Sequence, residues 1–332
     1  MAGKKRWIIR LTIFTAVVAL ACAYYYGAIR EEKDEKPASY SVILYQNMDN
    51  EWAALLEGVK QAEEDYKVKV NYITMETGDT AQEQIKIIQR EAEAGADGIL
   101  LAAVNSREAG ALLDEQNLQI PVLTVETGVE CKKKDYANIS ADNYKMGQEL
   151  GEKILEDMEE ESSAEKVTII KEYLERDSVK SRYEGLVDTL ENAGKEIQVE
   201  TVCRQEGDFS LRLFMGTIFH TGGQYIAALD KFCTEEAAAA WEANRSAYEE
   251  DGIAFKIYGI GNTAQTVNDL DHGRIQALVY QNEFNMGYEG IRALVEKDSQ
   301  GYFQDYFAIK HKLVTRDTLY DPENERILFP SI

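Results

Sequence analysis

GADGILLAAVNS, residues 95–106, is the stretch on which the fold is decided. Within it, Gly98–Ala103 is an unbroken apolar run of strand length, the pattern of a strand buried on both faces. Before it, Ala81, Ile85, Ile88 and Ala92 recur at helical spacing, and Gly95 closes that helix. After it come a helical segment near Arg107–Glu115 and a second apolar strand, Pro121–Val125. Upstream, Ser41–Gln46 is apolar and β-prone. A stripe of Trp52, Leu55, Leu56, Val59 and Ala62 follows at spacings of three and four, then the strand Lys69–Thr74. Strands alternating with helices predict a parallel sheet with right-handed crossovers.

The alternation restarts downstream. Lys166–Ile170, Ile197–Val202, Tyr225–Leu229, Phe255–Ile260 and Gln276–Tyr280 read as strands, with Ser178–Ala193 and a segment around Leu211–Phe219 as helices. The prolines are Pro37, Pro121, Pro322 and Pro330, so no proline-rich linker separates the halves. The expected fold class is α/β: two doubly wound parallel-sheet lobes joined by strands, with a cleft for a small ligand between them.

The 332 residues leave room for two cores, and 45 % of them are apolar, an ordinary globular composition. Lys and Arg number 36 against 59 Asp and Glu, a formal net charge of −23. Such acidity argues against nucleic acid as a partner, because phosphate contacts need clustered Lys and Arg. The charge is uneven: Lys4, Lys5, Arg6 and Arg10 are the only charged residues before Arg30.

Leu11–Ile29 carries no formal charge, and at about 1.5 Å per residue it is long enough for a bilayer core. The basic residues before it predict a cytoplasmic N-terminus, and Tyr24, Tyr25 and Tyr26 suit the far interface. An uncleaved membrane anchor, a cleaved signal peptide and a lipoprotein signal ending at Cys22 remain open. Each places the body on the extracytoplasmic face of the cell membrane. Residues 30–39 read as a charged linker.

Beyond Cys22 the cysteines are Cys131, Cys203 and Cys233. An odd number implies no complete disulfide framework; a Cys203–Cys233 bridge is one option and buried thiols the favoured one. His220, His272 and His311 are dispersed, with no metal-ligand spacing, and no cofactor is expected. Gly259-Ile260-Gly261-Asn262-Thr263-Ala264 has the form of a dinucleotide loop but stands late in the chain, so a tight loop at the cleft edge is the preferred reading. Asn138-Ile139-Ser140 and Asn244-Arg245-Ser246 are formal sequons of a length that arises by chance. No nucleophile elbow or Cys/His pair stands out, so an enzyme is not expected.

Several motifs, in order, resemble the type I periplasmic binding proteins that bind sugars and other solutes, the ribose-binding kind. They are Asp49-Asn50-Glu51-Trp52, GADGILLAAVNS, IPVLTVET (120–127), NISADNYKMGQELGEKI (138–154), RYEGLVDTL (182–190), GDFS (207–210) and KHKLVTRDTL (310–319). The resemblance covers Tyr40 to about Leu319 and implies two lobes joined by three crossovers, with ligand enclosed by hinge closure. It implies residues 1–29 as signal or anchor, 40–141 with 282–308 as the first lobe, and 142–281 with 309–332 as the second.

The ligand-binding positions implied by the resemblance include Gln46 at the first strand end, Asn50 as an amide and Trp52 as a stacking ring. Phe209, Gln281 and Asp230 also match, the last with a structural alternative. Departures accompany them. Glu126 and Thr127 stand where sugar binders often have Asp-Arg, and Lys180 takes an Arg-like position with Arg182 two residues on. Leu229 replaces the amide before Asp230, and Gly261 falls where an Asp is usual, with Asn262 beside it. These changes remove bidentate clamps for hydroxyls. Bland alternatives are a helix cap for Asn50, core packing for Trp52 and Phe209, and solvated charge for Glu126 and Lys180. Asp142 and Asn143 read as turn residues.

The resemblance implies capture of a small polar solute, sugar or sugar-like, for an ABC permease. The alternative is a ligand-sensing subunit that signals to a membrane sensor kinase. The lac-repressor family shares the two-lobe fold but opens with a helix-turn-helix, which the basic, apolar start of this chain does not resemble.

Overall fold

The computed structural model describes residues 15–21, 37–45, 51–76, 78, 80–133, 136–159, 166–172, 176–202, 224–250, 255–300 and 306–328. Contacts divide the chain into Met1–Ala38 and a body, Ser39–Ile332. In the first unit, residues 15–21 are helical and exposed. Among the described residues no helix is long and apolar enough to cross a membrane. Most of the uncharged run 11–29 lies outside them.

The body opens with β1 (Ser39–Leu44), α1 (Ala53–Tyr66), β2 (Lys69–Thr74), α2 (Ala81–Glu93), β3 (Gly98–Leu101), α3 (Ser106–Leu113), β4 (Val122–Val125) and β5 (Asn138–Ala141). It continues through α4 (Asn143–Glu159), β6 (Lys166–Glu172), α5 (Asp177–Asn192), β7 (Glu196–Val202), β8 (Tyr225–Ala228), α6 (Lys231–Glu250), β9 (Lys256–Ile260), α7 (Ala264–Asp271) and β10 (Ala277–Gln281). It ends with α8 (Glu283–Gln300), β11 (Tyr306–Ile309), β12 (His311–Thr315) and α9 (Pro322–Leu328).

Two six-stranded sheets form, in the orders β11-β5-β4-β3-β1-β2 and β12-β10-β9-β8-β6-β7. Each is parallel except for β12, which runs antiparallel to β10 with Gln281 opposite His311. The central strands β3, β4 and β8 are buried at every residue, which is why their sequences are continuous apolar runs. The edge strand β2 is mostly exposed and its sequence is correspondingly mixed. Helix α2 is held at its start by a reciprocal cap: Glu83 N–H donates to Thr80 Oγ1 (3.3 Å) and Thr80 N–H to Glu83 Oε2 (2.8 Å).

The chain passes between the sheets three times. It leaves the first sheet after Ala141, returns after Gln281, and leaves again between Ile309 and His311. The crossing segments touch: the Gln281 side chain accepts from Ala141 N–H (3.4 Å) and Asn282 N–H donates to Lys310 O (3.0 Å).

Two helix pairs, α1 with α8 and α4 with α5, pack tightly because glycine lets their backbones approach. A Cβ on Gly185 would lie 2.0 Å from Tyr144 O, and one on Gly147 2.0 Å from Arg182 O. Gly58 and Gly287 do the same for the other pair. The match is one of architecture repeated in both lobes.

The structure refines several sequence-based expectations. Asn138–Ile154, read as a crossover, contains a strand of the first sheet before its helix. Lys310–Leu319, read as one closing strand, ends as a strand at Thr315, where the Thr315 and Thr318 hydroxyls turn the chain into a 3-10 helix. The helix expected around Leu211–Phe219 lies outside the described residues, as does Cys203. Cys233 packs in the second lobe's core with Phe232, Trp241 and Ile257.

Candidate ligand cleft between the lobes

Each sheet reverses its strand order between its first and third strands, and ligands in such sheets bind beyond the carboxyl ends of the strands at that point. In this chain those ends face each other. Tyr45 follows β1 and Glu126 follows β4 from one side; Arg176 follows β6 and Asp230 follows β8 from the other. Asn262 follows β9, and Gln281 ends β10 at a crossing between the sheets.

Glu126 is the most constrained of these residues. Its φ of 64° is in the left-handed region, which costs a residue with a side chain about 1 kcal/mol or more and is characteristic of functional sites. Ser140 Oγ holds its carbonyl (2.8 Å), and its own N–H donates to Ile139 O (3.0 Å). The turn directs a buried carboxylate at the opposite lobe, where Oε1 accepts from Ser178 Oγ (3.0 Å) and the Arg182 guanidinium (3.0 Å). Oε2 is buried and has no hydrogen-bond partner among the described residues.

Arg182 is 2 % exposed and fully engaged. Besides Glu126 it donates to Asn143 Oδ1 (2.8 Å) and Leu229 O (3.2 Å). Asn143, read from sequence as a turn residue, therefore also orients the cleft's arginine. It reaches Arg182 because Gly147 and Gly185 bring α4 and α5 together.

Trp52 is buried at the start of α1, its indole N–H donating to Tyr45 O (3.2 Å) and its ring edge-on to Tyr45 at 4.6 Å. The ring faces a cation as well as the cleft. Lys231 Nζ, from the other lobe, sits 5.9 Å from its centroid, 2.6 Å from Glu283 Oε1 and 2.8 Å from Glu51 O. Burial pushes the Glu283 carboxyl above its ordinary value; Lys231 and a hydrogen bond from Asn262 oppose the shift. Arg176 pairs with Glu172 and lies over the Tyr45 ring at 4.3 Å.

The lobes also meet along the first turn of α5. Asp177 N–H donates to Ser106 Oγ (2.9 Å) and Ser178 N–H to Thr127 Oγ1 (3.2 Å). The lobes are thus closed on one another, and the space left among Trp52, Glu126, Arg182, Lys231 and Glu283 is about 20 Å3, room for about one water.

Of the residues singled out from sequence, Trp52, Glu126, Arg182, Asp230, Asn262 and Gln281 line this cleft. Asp230 also has the structural role: its carboxylate accepts from Cys233 N–H (2.8 Å) and Glu172 N–H (3.1 Å), capping α6 and tying β6 to β8. Glu126 is buried rather than solvated. Lys180 is not part of the cleft lining; it is 58 % exposed and 3.5 Å from Glu130 in a neighbouring cavity. Gln46, Asn50 and Phe209 lie outside the described residues. Sequence reading missed Tyr45, Arg176, Lys231 and Glu283. Lys231 opens α6 shortly after β8 and Glu283 opens α8 just after the crossing at Asn282, positions that could have flagged them. Arg176 stands in a loop with no pattern of its own.

The cleft offers charged and amide groups beside an aromatic ring, the chemistry of polar-solute binding. Among the described residues, no group of three or more His, Cys, Asp or Glu could hold a metal ion.

A model described as a periplasmic binding protein domain matches residues 41–299. No curated protein sequence matches the chain. Among solved structures, a carbohydrate transporter solute-binding protein of Agrobacterium radiobacter in complex with D-arabinose is 19 % identical with a TM-score of 0.77, over 89 % of this chain and 100 % of that one. A myo-inositol-binding protein of Caulobacter bound to myo-inositol is 20 % identical with a TM-score of 0.74, over 87 % and 96 %. A glucose-galactose-binding protein of Geobacillus stearothermophilus is 19 % identical with a TM-score of 0.71, over 86 % and 100 %. At these identities the likeness is one of fold.

Proposed function

The chain belongs to the periplasmic binding protein domain family, and from that premise we propose that it captures a small polar solute, a sugar or sugar-like compound, between its two lobes. The solute is enclosed by hinge closure about the three crossings near Asp142, Asn282 and Ile309, on the extracytoplasmic face of the membrane, and is handed to an ABC permease. The observation that carries the reading is the convergence of Trp52, Glu126 and Arg182 in the cleft between the two lobes, with one buried carboxylate oxygen of Glu126 that no donor satisfies among the described residues. The arabinose and inositol complexes of similar folds point to polyhydroxylated ligands.

Closure as seen leaves too little space for a sugar, so binding requires the lobes to part and the Lys231–Glu283 pair to yield to solute hydroxyls. Calorimetric titration of the purified protein with pentoses, hexoses, inositols, sugar acids and sugar phosphates tests this. At least one should bind, and Trp52→Ala should weaken it at least about tenfold through lost stacking area. A panel without any binder would remove the reading.

A ligand-sensing subunit reporting to a membrane sensor kinase is the second reading. It is favoured by the uncharged run Leu11–Ile29, whose length suits a retained anchor. Cross-linking in cells distinguishes the two by whether a permease or a kinase is captured.

A further inference from the structure

Beside the cleft lies a second, larger interlobe cavity of about 220 Å3. One wall is Arg107 of α3 and Glu130 after β4; the other is Lys171 at the end of β6, with Arg176, Asp177 and Lys180 around the start of α5. Arg176 and Val179 line both this cavity and the cleft, so the two spaces share a wall. In the closed molecule this cavity, not the cleft proper, has the volume for a small solute or a substantial part of one.

Its chemistry differs from that of the cleft. Among the described lining residues four cations face two acids, in a chain whose net charge is −23. Glu130 is shared by Arg107 (3.6 Å) and Lys180 (3.5 Å), both longer than a charge-assisted hydrogen bond. Arg176 is matched by Glu172. Lys171, half-buried, has no ion-pair partner among the described residues. Burial pushes the Asp177 carboxyl above its ordinary value, and Lys180 opposes the shift. The positive end of the α5 dipole points the same way. Cationic side chains outnumber carboxylates among the described lining residues, which suits a ligand that brings acceptors and negative charge rather than hydroxyls alone.

We propose that this cavity is an oxyanion subsite, and that the solute captured by this protein carries a phosphate or carboxylate seated among Lys171, Lys180 and Arg107. The inference names the substrate class of the solute-binding function proposed above and rests on it. A sugar phosphate or sugar acid would place its polyhydroxylated part toward Trp52 and Glu126 and its anion in the cavity.

The test is titration of the full chain with inorganic phosphate, glucose 6-phosphate, gluconate and glucose, in wild type and in the double variant Lys171→Gln/Lys180→Gln. Both lysines are at least partly exposed, and an unchanged melting midpoint without ligand establishes that the variant folds. The expected result is binding of at least one anionic probe, weakened about tenfold or more in the double variant and by added salt. The phosphate and carboxylate arms distinguish the two sources of the oxyanion. Binding of neutral sugars with no binding of any anionic probe, or anion binding indifferent to the double variant, overturns the subsite and leaves the solute-binding reading standing. Absence of binding by any sugar, charged or neutral, overturns both.

Discussion

At the scale of single residues, the cleft is built from charges that complete one another across the lobes. Arg182 is the clearest case, since it satisfies Glu126, Asn143 and the Leu229 carbonyl at once. Arg182→Met would strand a buried carboxylate and two acceptors, and breaking such a pair from one side costs about 3–5 kcal/mol. Urea unfolding should show this loss with an unchanged slope against denaturant. Glu283 predicts a pH effect. Its carboxyl is raised above the ordinary value of 4.5, so in the window from there up to its folded value the native state binds more protons than the unfolded chain. Stability from this group therefore falls as pH rises through that window and is constant above it. Relative to wild type, Glu283→Gln should gain stability across the same window, read from melting midpoints against pH; parallel curves would show that burial does not tax this carboxylate. The residue scale is also where sequence was least informative. RYEGLVDTL contains both Arg182 and Gly185, yet nothing in it says that Arg182 would be consumed by partners within the chain rather than left for ligand.

At the scale of elements, glycine decides how the site is held. With Gly185 in place, α4 and α5 approach until a Cβ would be 2.0 Å from Tyr144 O, and that approach sets the 2.8 Å bond from Arg182 to Asn143. Gly185→Ala must push the helices apart, at a cost of about 1–3 kcal/mol. The melting midpoint should drop and solute affinity with it; a lowered midpoint with unaltered affinity would separate helix packing from the cleft. The elements themselves were largely legible. The central strands announce themselves as apolar runs because parallel strands are buried on both faces, and Ala81, Ile85 and Ile88 mark the buried side of α2. Short strands at the crossings were harder. β5 has four residues, Asn138–Ala141, half of them polar, and β11 and β12 are separated by Lys310 alone, too little for a periodicity to register.

At the scale of the molecule, two sheets with the same strand order face their carboxyl ends toward one another and exchange the chain three times. This repeat was visible in the alternation of strands and helices and in the absence of a proline-rich linker. Closure was not visible, because it depends on contacts such as Lys231 with Glu283 and Ser178 with Thr127, whose partners lie 52 and 51 residues apart in sequence. In the proposed mode of capture one solute bridges both lobes. Amide hydrogen exchange, with and without a solute found by titration, reads that bridging lobe by lobe. Exchange should slow on both sides of the cleft, around Glu126–Gly128 in one lobe and Leu229–Cys233 in the other. Protection confined to one lobe, or absent from both segments while the solute is bound, would contradict it.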